Sequence, residues 1–304
     1  MSKPPQKSTE TAETEIGQPV PGFPLSFEWL TGDWKRIFDA QTALIKDDVE
    51  RARAEGRLVA YLSCPISSRG GGWSGTNVDI ARHAERALLE RWGEAFWVLN
   101  PAQYQLESKA GTGLIVRHAE RLNIDLPALL KKKAPGGGDY LRMWTRVLVE
   151  DGAGNLGRNF DAFYFLGPRD VFSFFTEGGA PTMTAGIESY FARKFATDAS
   201  FRDTFSTPGI TWGVPQPASD PRTGWSERRK HFLRFYALRA SANYSLGSHD
   251  EWAILRLINQ RRRQLTAGPG SLDGDVGDQI AAFFDGNQID PAASEAPLSR
   301  GYAV

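Results

Sequence analysis

The chain has 304 residues, and its 36 lysines and arginines balance 36 aspartates and glutamates. Hydrophobic residues at 41% and charged residues at 24% fit a globular chain, and zero net charge argues against a uniformly basic nucleic-acid binder. The single cysteine, Cys64, excludes a disulfide framework and a cysteine-rich zinc site. No apolar stretch reaches the ~18 residues of a membrane span. The polar start does not read as a secretory signal. The expectation is a cytoplasmic protein with no membrane partner.

Residues 1–24 are rich in Pro, Ser, Thr, Glu and Gln and lack apolar periodicity, which predicts a segment that is disordered or loosely laid on the surface. A helix is expected over about 34–54, with Phe38, Leu44, Ile45 and Val49 apolar and Gly56 ending it. A strand follows at 58–63, apolar almost throughout as in a sheet covered on both faces. The loop 64–75 holds Pro65, Arg69 and three consecutive glycines. A helix capped by Thr76 or Asn77 then runs to about Trp92. A second strand at 95–100 is stopped by Pro101. Residues 102–138 form an insertion with helical patches at 114–122 and 126–130. Asp139 opens a helix to about 150, and a third strand spans 160–166. A turn-rich stretch, a helix over 184–196 and a short strand near 210–214 come next. Two helices, near 225–240 and 249–263, follow. Val276, Ile280, Phe283 and Phe284 then recur at helical spacing and suggest one last amphipathic turn.

This alternation predicts an α/β fold: a Rossmann-like, flavodoxin-like parallel sheet with helices on both faces and a C-terminal helical extension. The implied organisation is a disordered 1–24, a nucleoside- or nucleotide-binding domain over 25–215, a basic extension over 216–265 and an acidic tail over 266–304. Residues 221–263 carry ten basic and three acidic side chains, a local charge of +7. Residues 264–304 carry one basic and six acidic, a local charge of −5. The plain reading is a solvated basic face and a loose acidic tail; the sharper one is a surface for phosphate groups.

Ligands of such sheets bind at the carboxyl ends of the strands, so the loops there hold the candidates. Gly70, Gly72 and Gly75 satisfy G-x-G-x-x-G, but the first lies seven residues past Ser63, too far for the tight dinucleotide turn. The loop is either a flexible glycine loop or one closing over a nucleotide, with Arg69 and the helix start available to a phosphate. Glu188, in the first turn of its helix, either compensates the helix dipole or faces the crevice. Asp139 is either an N-cap or an acid at the same edge, with Arg142 three residues on. Asp161 opens its strand as a structural acid or a substrate contact. Tyr61, Trp73, Trp97 and Tyr104 either stack on a base or fill the core. His83, His118, His231 and His249 show no metal-ligand spacing, and no G-x-S-x-G elbow or P-loop is present.

Taken together, several segments resemble the nucleoside 2-deoxyribosyltransferase superfamily with its nucleotide N-glycosidases. They are Tyr61-Leu62-Ser63-Cys64-Pro65-Ile66, Val98-Leu99-Asn100-Pro101-Ala102, the helix opened by Asp139, Phe160-Asp161-Ala162-Phe163, and Gly186-Ile187-Glu188. The resemblance covers about residues 57–197. It implies cleavage or transfer of an N-glycosidic bond, with Glu188 as nucleophile and Asp139 as general acid. Cys64, Pro65, Arg69, Gly71, Gly72, Asn100, Arg142, Asp161 and Gly186 are then the substrate-binding candidates. No cofactor or metal is implied, and self-association stays open. Two other classes remain: a non-catalytic nucleotide sensor, and a nucleic-acid-associated protein using the basic helices.

Overall fold

Strand β3 (Leu58–Ser63) sits inside the sheet, and its side chains alternate between two cores. Val59 and Tyr61 enter one core, Ala60 and Leu62 the other. In the computed structural model, which describes residues 14–67, 70–106, 109–206, 221–266 and 278–291, β3 pairs in parallel with β4 (Phe96–Leu99) and β5 (Ala162–Phe165). Strand β6 (Ala281–Phe284) adds in parallel to β5, and β7 (Asn287–Ile289) pairs antiparallel with β6. The order is β4-β3-β5-β6-β7, a mixed, mostly parallel α/β sheet. Strands β1 (Thr14–Gly17) and β2 (Phe27–Leu30) form a separate antiparallel pair.

Helices cover both faces. The first face carries α1 (Gly32–Ala54), α3 (Lys109–Leu122), α4 (Leu126–Leu130), α5 (Gly137–Val149) and α10 (Leu246–Thr266). The second carries α2 (Ser74–Trp92), α6 (Pro168–Thr176), α7 (Met183–Thr197), α8 (Ala199–Ser206) and α9 (Pro221–Leu238). Charged pairs tie the first layer: Arg142 and Arg146 of α5 both reach Asp39 of α1, at 2.8 and 2.6 Å. Lys46 and Arg146 share Glu150.

Four expectations need correction. Residues 14–24 are not a loose segment: β1 pairs with β2, and Val20 and Phe23 are fully buried. The turn-rich stretch after β5 holds helix α6, whose start combines Pro168 with a carboxylate, Asp170, accepting from the Gly167 N–H at 2.8 Å. Residues 281–289 form a strand hairpin inside the sheet and not a helical turn in an acidic tail. Asp285 and Gly286, at φ 53° and 81°, make its two-residue turn, which requires positive φ at both positions. The fourth concerns the basic segment, which is an integral layer: Arg262 is buried and donates to the carbonyls of Leu156, Gly157 and Asp278 at 2.8–2.9 Å. Val276 and the strand expected near 210–214 lie outside the described residues.

Candidate functional site

From β3 the chain passes to β4 on one side, then returns to β5 on the other. The crevice between the carboxyl ends of β3 and β5 is therefore the switch point of the sheet, where open α/β folds bind ligands. Backbone bonds close it: the Leu166 N–H donates to the Ser63 carbonyl at 3.1 Å, and the Ala242 N–H to the Leu166 carbonyl at 2.8 Å. The α9–α10 connection, with its 3₁₀ turn Ala242–Tyr244, is thus anchored on the strand ends. A narrow crevice lined by Pro65, Asn77, Ile80, Leu166, Val171 and Ala240 lies beside it.

Helix α10 brings a carboxylate to the end of β3, on the face of the sheet opposite that narrow crevice. Glu251 is 9% exposed. It accepts hydrogen bonds from the Tyr61 hydroxyl at 2.6 Å and the Ser63 hydroxyl at 2.5 Å. Burial pushes its pKa up to about 7; the two hydroxyls oppose the shift and the charge of Asp250 adds to it. Asp250 is also pushed up to about 7 by burial. The phenol of Tyr61 is raised well above its usual range, by burial first and then by Glu251. Two carboxyls that exchange protons near neutrality are poised for acid–base work. His249, the neighbouring residue, is held below its ordinary value by burial, with the Asn243 carbonyl offsetting part of the effect. The hydroxyls of Ser241 and Ser248 are buried with no hydrogen-bond partner among the described residues.

The residues singled out in the sequence divide differently. Asp139 and Glu188 sit on helices covering opposite faces of the sheet and share no contact. Asp139 is buried, and both its oxygens are occupied, by the Leu30 and Gly136 N–H groups, each at 2.7 Å. That is a helix cap stitched to β2, which answers the choice between cap and edge acid. Glu188 is 49% exposed and faces Arg229 of α9 at 3.6 Å. Arg142 pairs with Asp39 and not with Asp139. Asp161 precedes β5 at the amino edge of the sheet, where it pairs with Arg53 and accepts from the Val59 N–H at 2.7 Å. It lies across the sheet from the carboxyl-end crevice.

The loop residues keep their place at the carboxyl edge. Cys64 is buried, and its thiol is raised by burial, then by Glu251. Pro65 lines the crevice. Asn100 caps the turn after β4, accepting from the Ala102 N–H at 3.0 Å and donating to Glu85 at 2.8 Å. Gly71 is buried at φ 71° beneath the Tyr236 ring, while Gly72 is exposed. Gly186 is where α7 crosses α6, and any side chain would strike the Phe175 carbonyl. Arg69 lies outside the described residues. Tyr61 and Tyr104 are buried, and Trp73 and Trp97 pack partly buried against the two cores.

Glu251 escaped the sequence reading because its partners are 188 and 190 positions away. A signal existed. Ile254, Leu255 and Ile258 form the buried stripe of α10, and Glu251 lies one turn before them on that stripe. An acid at an apolar position is expensive unless it is hydrogen-bonded. Among the described residues there is no cluster of three or more metal-ligating side chains, and no helix long and apolar enough to cross a membrane. The chain matches no protein-family model, no curated protein and no solved structure against which it was compared.

Proposed function

We propose that the protein cleaves or transfers the N-glycosidic bond of a nucleoside or nucleotide at the switch point of its sheet, with Glu251 and Asp250 as the reacting carboxyls. The observation that carries this reading is Glu251 itself, a buried carboxylate gripped by Tyr61 and Ser63 at the end of the central strand. The proposal takes the sheet as flavodoxin-like. Counted from β3, its strand order is 2-1-3-4-5, the order of that doubly wound class, with the last strand reversed. The substrate class comes from the resemblance of residues 57–197 to nucleoside deoxyribosyltransferases; the roles come from the geometry.

Glu251 receives two hydroxyl hydrogen bonds, which favour its charged form. Asp250 receives none among the described residues and is raised by burial alone. With both values near 7, each group is partly protonated at neutral pH. Glu251 is then the carboxylate that bonds the anomeric carbon as the carbon–nitrogen bond breaks. The electron pair leaves with the base, and Asp250 supplies the proton to it. Water completes hydrolysis, or a second base completes transfer. Glu251 is nearly covered, so the sugar reaches it when the chain around the carboxylate opens.

The test is base release from a panel of nucleosides and nucleotides. Glu251→Gln should abolish release by several orders of magnitude, and Glu188→Gln should leave it nearly intact. Loss in Glu188→Gln with full activity in Glu251→Gln would return the nucleophile to Glu188. Binding without release by the wild-type protein would favour a nucleotide sensor.

A further inference from the structure

The turn bonded to the end of β5 carries an exposed ring. Tyr244 is 59% exposed, although Ser241, Ala242 and Ser248 around it are buried. Leu246, at the start of α10, is 49% exposed. Of the described aromatic side chains, only Tyr244 and Phe172 are exposed; Phe172 lies on α6, away from the anchored turn. The position of Tyr244 is set by backbone bonds. Its own N–H donates to the Ser241 carbonyl at 3.0 Å, and Ala242, two residues earlier, is bonded to the end of β5. The Ser245 hydroxyl accepts from the Ser248 N–H at 3.3 Å and fixes the start of α10. The flat ring is therefore held two residues beyond the point where the turn is bonded to the end of β5, six and seven positions before Asp250 and Glu251. The buried, unpartnered hydroxyls of Ser241 and Ser248 flank the same turn, a cost that native proteins rarely carry without a ligand or water to meet it.

We infer that Tyr244, with Leu246 beside it, is the platform on which the planar base of the substrate stacks, so that this turn selects an aromatic heterocycle over a sugar alone. The inference rests on the reading of the site given above and adds its recognition element. A tyrosine suits the role because it offers a large rigid face at small entropic cost.

Binding by calorimetry tests this with wild type, Tyr244→Phe and Tyr244→Ala. The probes are a panel of purine and pyrimidine nucleosides and, as the ligand without a base, ribose 5-phosphate. Tyr244→Ala should weaken nucleoside binding about 5- to 100-fold and leave ribose 5-phosphate unchanged. Tyr244→Phe should bind nucleosides within about threefold of wild type, because the face of the ring does the binding. Equal weakening of nucleosides and ribose 5-phosphate would show a loosened turn and overturn the platform. Tyr244→Phe as weak as Tyr244→Ala would assign the effect to the hydroxyl and overturn stacking. Wild-type affinity in Tyr244→Ala, with base release still lost in Glu251→Gln, would remove the platform and leave the proposed function standing. A wild-type protein that binds no nucleoside would remove both.

Discussion

The Tyr61 hydroxyl and the Glu251 carboxylate meet at 2.6 Å across 190 positions of chain. The contact joins the central strand to the last long helix in the interior of the protein, so its protonation bears on stability. Burial raises the Glu251 pKa from 4.5 to about 7. Below pH 4.5 the group is protonated whether the chain is folded or not. Between about 4.5 and 7 the folded chain holds a proton that the unfolded chain releases. Stability must therefore fall as pH rises through this window, and the cost is complete above about pH 7. Asp250 acts in the same direction. Glu251→Gln should reduce the total fall in stability across this window by on the order of 1–3 kcal/mol, and Asp250→Asn should remove part of the remainder. Urea midpoints from pH 4 to 8 measure both. An unchanged slope in Glu251→Gln would mean that the carboxyl titrates as if exposed.

Strand β6 depends on one side chain of α10. The Asn259 amide donates to the Ile280 carbonyl at 3.1 Å and accepts from the Ile280 N–H at 2.9 Å, in a fully buried position. It takes the place of a neighbouring strand just before β6 begins. Asn259→Leu strands both backbone groups without partners, at about 1–3 kcal/mol each. The expected result is a loss of roughly 2–6 kcal/mol in denaturation, with β6 amides exchanging faster than those of β3. Uniform exchange in all four parallel strands would show that β6 does not rely on this clamp.

The N-terminal part of the described chain should be structural. Phe23 is fully buried, and Ile16 is among the most exposed apolar residues. Phe23→Ala is expected to cost about 3–5 kcal/mol, whereas Ile16→Ala should stay within about 0.5 kcal/mol. Thermal melts of the two variants separate a packed segment from a loose one. Equal melting temperatures would restore the loose reading of this stretch.

How much of this was legible differs by element. Strand β3 was read to the residue, because a central strand covered on both faces is a continuous apolar run bounded by Gly56 and Pro65. The hairpin β6–β7 was misread for a related reason. Ala281-Ala282-Phe283-Phe284 is too short to show a period, and its two phenylalanines also fit helical spacing. The better signal was Asp285-Gly286, a dipeptide that favours two-residue hairpins. Val20 and Phe23 were missed because isolated apolar residues among prolines have no period at all. At the site, the carboxyl-edge loops were legible from the order of the elements, but the pairing of Glu251 with Tyr61 and Ser63 was not. Such a contact is made by folding and leaves only the acid on an apolar stripe as its trace.

The glycine loop offers the last prediction. Its glycines invited a phosphate-binding reading, yet two of them are explained by helix α9. A Cβ at Gly70 would lie 2.2 Å from the tip of the Phe235 ring, and one at Gly71 would lie 2.5 Å from the Tyr236 ring. Tyr236 also donates to Asn77 at 2.8 Å, and Asn77 donates to the Ser67 carbonyl at 2.8 Å, so helix and loop are locked together. Gly70→Ala should therefore cost about 1–3 kcal/mol by overpacking. In a Phe235→Ala background the new methyl enters the space the ring has left, and the cost should largely disappear. The double-mutant cycle should give a coupling of about 1–3 kcal/mol. Gly72 provides the contrast. Its φ is 80°, its nearest neighbour atom would lie 3.8 Å from a Cβ, and its strain comes from the backbone alone. Gly72→Ala should cost about 1–2 kcal/mol, and that cost should be the same in the Phe235→Ala background. If Gly70→Ala and Gly72→Ala respond alike to removal of the ring, the loop is not held by α9. Its glycines would then have to be explained by a ligand.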